Sequence, residues 1–189
     1  MTTERDDGVL IGGREPAIIR IVDYDPAWPV RYEGYARTIT TVLGRTLHRL
    51  EHIGSTAVPG LAAKPIVDIL ALVDDSANEA SYLPQLEAAG YQLRVREPAF
   101  EEHRMLRTTT RDMHLHVFSR GAREAARQLA FRDWLRTHPD DRLRYEARKR
   151  QLATHAWPDM NAYADAKTGV IEAILALALH APGSAHDGY

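Results

Sequence analysis

Residues Ile66 to Val73 read Ile-Val-Asp-Ile-Leu-Ala-Leu-Val, an almost unbroken β-branched and aliphatic run. Neighbouring residues of a strand point to opposite faces, so such a run suits a strand covered on both sides. A chain built round it needs a layer above and a layer below, which points to an α/β arrangement. Asp68 is the one charged residue in the run. A lone carboxylate in such a place costs several kcal/mol unless it is paired, metal-bound or protonated, so Asp68 needs a partner.

The rest of the chain supplies the layers. Asp25-Pro26 reads as an N-cap followed by proline at the first helical position, and a helix is predicted from about Ala27 to Leu43. Arg49 to Ile53 reads as a short strand that breaks at Gly54-Ser55. Asp75-Ser76 is predicted to cap a helix ending at Gly90, followed by strands over His103–Thr109 and Met113–Phe118 with Thr110-Arg111-Asp112 as the turn. From Ala122 the apolar spacing is helical, with Pro139 and Pro158 dividing three helices, the last over about Asn161–Leu179. The order is α-β-β-α-β-β-α-α-α, an α/β layer with a C-terminal helical half. Residues 1–20 are expected to form a flexible start, 21–180 one domain and 181–189 a disordered tail.

Bulk properties exclude several classes. The 189 residues suffice for one domain, and 44% apolar content supports an ordinary core. A net charge of −2 with a pI near 6.5 argues against coating DNA or RNA. The absence of cysteine removes thiol chemistry, disulfides and thiolate metal sites. No signal peptide is legible in Met1–Gly13, and the longest apolar run, Ile171–Leu179, is interrupted by Glu172 and far short of the roughly 20 residues of a membrane span. A cytoplasmic protein is expected, with no membrane partner.

The segment Glu51–Leu70 carries the functional signal. A Gly-Ser pair leaving a strand frees backbone N–H groups and a hydroxyl that can cradle a phosphate at a helix start. Val58-Pro59-Gly60 makes a rigid turn, and Lys64 returns a cation to the same end.

This segment resembles the signature of the GrpB family, which is also found as the C-terminal part of some bacterial dephospho-CoA kinases. The likeness runs from about Ile21 to Leu179: Tyr24-Asp25-Pro26-Ala27-Trp28, His114-Leu115-His116-Val117-Phe118, Phe131-Arg132-Asp133-Trp134-Leu135-Arg136, Tyr145 with Lys149, and Tyr163 with Lys167. It implies an α/β (α+β) fold similar to the DNA polymerase β-type nucleotidyltransferases. Enzymes of that superfamily place a Gly-Ser helix start before a strand with two alternating acids, and a third acid on a neighbouring strand; the acids hold two Mg²⁺ ions that align a nucleoside triphosphate. Here Gly54-Ser55 and Asp68 match. The second acid's position holds Leu70, and the third strand, His114–Phe118, offers histidines.

The residues themselves leave several chemistries open. His114 and His116 share a strand face, and Asp68 and His52 are expected to converge on them. A set with Asp68 and His116 as metal ligands and His114 beside them would suit Zn²⁺, whereas Mg²⁺ prefers more oxygens. The same groups would also serve as a general base held by a carboxylate, or simply hydrogen-bond and pack. Gly54, Ser55, Lys64, Arg104, Lys149, Tyr163 and Lys167, with Arg107, form the expected pocket for a phosphate-bearing ligand. Tyr145 and Tyr163 are placed to stack on a base or sugar, or to pack in the core. Arg123, Arg127, Arg142, Arg144, Arg148 and Arg150 read as solvated helix-face cations. Trp28, Trp134, Trp157, Tyr91 and Phe131 are assigned to packing. Two functions follow: a nucleotidyltransferase-like enzyme acting on a phosphorylated small molecule or nucleotide, or a non-catalytic nucleotide- or CoA-precursor-binding module that has lost its metal-binding acids.

Overall fold

A computed structural model describes residues 10–13, 15 and 18–180. The predicted tail at 181–189 and most of the predicted flexible start lie outside the described residues. Two described residues of the start meet the sheet: Leu10 bridges Val95, and Glu15 accepts two hydrogen bonds from the Arg107 guanidinium at 2.8 and 2.9 Å.

Helix α1 spans Ala27–Leu43. The Asp25 carboxylate accepts from the Ala27 amide at 2.9 Å, satisfying one of the free donors of its first turn. Strand β1 is Arg49–Ile53, β2 Val67–Val73, β3 Gln92–Glu97, β4 His103–Arg107 and β5 Met113–Ser119, forming one sheet in the order β1-β2-β5-β4-β3. β2 and β5 run parallel at its centre and the other pairings are antiparallel.

The double-sided burial predicted for the central run is present. Val67, Ile69, Ala71 and Val73 pack with Leu115 and Val117 of β5 and with Ile39 and Leu43 of α1. From the other face, Leu70 and Leu72 join Ile53, Phe118 and the Ala125 and Leu129 side chains of α3 (Arg123–Thr137). Burying each such aliphatic side chain contributes on the order of 1.5–3 kcal/mol. A third cluster, with Val58, Leu61, Leu135, Tyr145 and Ile174, joins the loop after β1 to the helical half. That half comprises α3, α4 (Pro139–Ala153), α5 (Met160–Asp165) and α6 (Thr168–His180).

Three local expectations are corrected. The helix predicted after Asp75-Ser76 is only α2, Leu83–Ala88, preceded by an Asx turn (Ala77 amide to Asp75 carboxylate, 2.9 Å) and a single 3-10 turn at Glu79–Ser81. Pro84 fits only the first turn of a helix, so α2 cannot extend back through it. β3 was not predicted: Gln-Leu-Arg-Val-Arg-Glu is a charged edge strand with a register shift between Leu93 and Val95. The last predicted helix is two, broken at Ala166-Lys167, and this break positions Lys167 beside the site.

Candidate functional site

The sheet face beneath α3 becomes polar toward the start of β2. Ile53 of β1 is registered with Asp68, and Asp68 with His114, while Leu70 is registered with His116. Asp68, His114 and His116 therefore share one face. Asp68 Oδ1 lies 3.3 Å from His114 Nδ1 and 3.7 Å from His116 Nε2. The three potential ligand atoms fall within 4.8 Å of one another. Burial alone would raise the Asp68 pKa, but the facing His114 and His116 imidazoles overcome it and hold the carboxyl well below the usual range. These histidines are the partner that Asp68 requires.

Above the carboxylate the chain leaves β1 through Gly54, at φ +69°. A Cβ there would stand 2.5 Å from Asp68 Oδ2, so this position admits no side chain. Ser55 follows in a single 3-10 turn, Ser55–Ala57, at the start of the loop between β1 and β2. Its Oγ accepts a 2.9 Å hydrogen bond from Lys149 Nζ, which also donates to the Ala62 carbonyl.

These groups line one cleft of about 620 Å³ between the sheet and the helical half. Lys64 and Lys167 both enter it beside Tyr163, their Nζ atoms 5.4 and 4.8 Å from the ring centre. Burial and the Lys167 charge push Lys64 down to about 8 and Lys149 down to about 7, and burial lowers Lys167 as well. Tyr163 is 1% exposed, and its hydroxyl has no partner among the described residues. Burial pushes the Tyr145 phenol up to about 12. Tyr145 is enclosed, edge-on to Phe131 at 5.1 Å with Lys149 Nζ 4.7 Å from its ring centre, which leaves no face for a stacked base.

Gly54, Ser55, Lys64, Asp68, His114, His116, Lys149, Tyr163 and Lys167 thus come together in the cleft. Three expected members do not. Arg104 points to the opposite sheet face, where its Nε meets Glu79 at 2.6 Å and its Nη2 meets Glu102 at 3.1 Å; strand alternation separates it from Met105, which does line the cleft. Arg107 is held by Glu15. His52 is registered with Ile69, not Asp68, so it stacks on Tyr32 of α1 at 4.7 Å and hydrogen-bonds Thr56 at 3.0 Å; burial pushes its pKa down to about 4.

One reading is reversed in the other direction. Arg127, which the sequence pattern assigns to a solvated helix face, lies in the cleft wall and bridges Glu124 (3.2 Å) to Glu172 of α6 (2.6 Å). Glu124, Gln128 and Phe131 recur with it at i, i+3, i+4 and i+7 spacing on α3, a pattern in the sequence that nothing local ties to a site. His103 and Glu97 likewise carry no local mark of a site. His103 is 6% exposed, its Nε2 3.0 Å from His116 Nδ1 and its Nδ1 2.7 Å from Glu97 Oε2.

The five-stranded mixed sheet, the Gly-Ser turn over Asp68 and the helical half define an α/β protein with one polar cleft. The chain belongs to the GrpB family, whose model, described as GrpB protein, matches residues 18–177. It is 47% identical to a UPF0157 protein of Halalkalibacterium halodurans over 92% of this chain and 90% of the relative. The crystal structure of the conserved protein GrpB from Enterococcus faecalis matches with a TM-score of 0.76 at 33% identity, covering 85% of this chain and 97% of that one. A more distant relative is named a dephospho-CoA kinase, from Mycolicibacterium paratuberculosis; it is 29% identical over 80% of this chain and 44% of its own length. Among the described residues no helix is long and apolar enough to cross a membrane.

Proposed function

We propose that this protein is a transferase-like enzyme that binds a phosphate-bearing small molecule or nucleotide in the cleft, beside one divalent cation. The observation that supports this most is the meeting, in one cleft, of three partly desolvated lysines and a His-His-Asp trio. Lysines crowded at a buried wall repel one another and lose their hydration, and an anion relieves both costs. Lys64, Lys149 and Lys167 would bind the phosphoryl oxygens, with Ser55 Oγ held in place by Lys149 and the Tyr163 hydroxyl as a further donor.

The pair of Mg²⁺ ions used by the nucleotidyltransferase superfamily does not fit this chain. Leu70 occupies the second acid's position at 0% exposure, and β5 contributes imidazoles. Two nitrogens and one carboxylate oxygen suit a single Zn²⁺-like ion better than Mg²⁺, with Asp68, His114 and His116 holding it. Such an ion, when bound, polarises an oxygen of the ligand or of water. The chain's own groups orient the anion and offset its charge.

The buried Leu70 also favours a second reading, a binding module of the same fold that no longer carries out transfer. Melting temperatures measured with ATP, dephospho-CoA and pyrophosphate, each with and without Zn²⁺, Mn²⁺ or Mg²⁺, test the first. A rise with an anion that is larger with Zn²⁺ or Mn²⁺, and that loses its cation-dependent part in Asp68→Ala, supports the proposal. A rise that ignores cation and Asp68 alike, with no product formed on incubation, leaves the binding module. No rise with any anion overturns both.

A further inference from the structure

We propose that Glu97 and His103 are positioning residues for this cleft: they fix His116 in the tautomer that carries hydrogen on Nδ1 and turns a bare Nε2 toward Asp68. The inference rests on the cation-binding reading above and names the groups that set it up.

The chain of contacts starts at a carboxylate. Glu97 closes β3, His103 opens β4, and the two are registered partners. Phe100 turns the chain between them, its amide donating to the Glu97 carbonyl at 3.1 Å and its carbonyl accepting from the His103 amide at 3.0 Å. Glu97 Oε2 lies 2.7 Å from His103 Nδ1, and an ionised carboxylate only accepts, so Nδ1 carries the hydrogen. His103 is stacked on Phe118 at 4.6 Å and edged by Phe100 at 6.1 Å, an enclosed aromatic setting that favours the neutral ring. A neutral ring with hydrogen on Nδ1 presents a lone pair at Nε2. His116 Nδ1, 3.0 Å away, must then donate to it.

The consequence appears at the far side of the His116 ring. With Nδ1 protonated, neutral His116 has only a lone pair at Nε2, and that atom faces Asp68 Oδ1 at 3.7 Å with His114 on the same face. A bare imidazole nitrogen and a carboxylate oxygen on one face, with His114 beside them, are ligand atoms for the single cation of the proposed function. Carboxylate–histidine pairs that orient a metal-bound imidazole act in this way, and their loss weakens metal binding by about 10- to 100-fold. Here a second imidazole extends the reach from the β3–β4 hairpin to the cleft floor.

The test uses the full chain stripped of metal. Two-bond ¹H–¹⁵N correlation spectra at neutral pH are expected to show hydrogen on Nδ1 and a bare Nε2 for both His103 and His116. Hydrogen on His116 Nε2 overturns the proposal. Zn²⁺ and Co²⁺ are then titrated into His103→Phe, which keeps an aromatic ring against Phe118 but removes the acceptor, and into His103→Gln, whose amide oxygen can take its place. A weakening of about 10- to 100-fold in the first, largely recovered in the second, is expected. Equal affinity in wild type and His103→Phe overturns the positioning role. The expected tautomers in a wild type that binds no cation uphold the hydrogen-bond chain and overturn the functional reading instead.

Discussion

Gly54 and Asp68 are locked together: a Cβ on residue 54 would come within 2.5 Å of Asp68 Oδ2, and the Gly54 backbone sits at φ +69°. The turn that begins the candidate anion site and the carboxylate that anchors the candidate cation site therefore share one volume. Gly54→Ala is expected to lower stability by about 1–3 kcal/mol from the left-handed backbone alone. It also displaces Asp68, so thermal denaturation and Zn²⁺ titration should both change. A variant that melts later than wild type, or keeps its cation affinity, contradicts the packing described.

Leu70 stands where an acid would complete the expected metal pair, and it is part of the core with Ile53 and Phe118. Leu70→Ala is expected to cost about 2–5 kcal/mol through lost burial and the cavity left behind. Leu70→Asp should cost at least as much and confer no Mg²⁺ dependence, because the carboxylate would be enclosed by aliphatic and aromatic groups. Chemical denaturation and Mg²⁺ titration of both variants check this.

The lysines make a pH prediction with a definite sign. Lys149 is lowered to about 7 from a usual 10.5, and Lys64 to about 8. Between those values and 10.5 the unfolded chain binds more protons than the folded one, so these groups make the ligand-free protein gain stability as pH rises through that window. Affinity for an anion runs the other way, greatest where the lysines are charged and falling as pH climbs past about 7 to 8. Pyrophosphate titrations across that range should show this fall with proton uptake on binding, detected as a dependence of the binding heat on the buffer. A flat affinity profile would remove the lysines from the anion site.

Arg104 separates structure from function. Buried at 4% exposure and paired with Glu79, it is expected to behave as a structural ion pair whose rupture costs about 3–5 kcal/mol. Arg104→Ala should therefore melt earlier yet, while folded, bind anion and cation as wild type does. A selective loss of ligand affinity at unchanged stability would return Arg104 to the site.

Much of the site was legible because its members are marked locally. A Gly-Ser pair after a strand, a single acid in an apolar run, and two histidines two residues apart are features of short segments, and strand alternation places them on faces without knowledge of the fold. His52 shows where that reasoning stops. Its strand was read correctly, but the register Ile53↔Asp68 puts His52 on the opposite face. A shift of one residue exchanges the faces of a strand, and no local signal fixed it.

The sequence by itself determined a two-sided central strand, the helices that cover it, the family and the residues at the cleft floor, because burial period, turn chemistry and motif order are written in neighbouring positions. The tertiary structure alone decided which cations face the ligand, why Arg104 turns away and Arg107 is taken up by Glu15 while Arg127 turns in, and that Glu97 and His103 stand behind His116. Those outcomes depend on contacts between residues far apart in the chain, such as Arg127 with Glu172 or Lys149 with Ser55. The edge strand β3 belongs with them, since its charged residues gain their meaning only from the strand beside it.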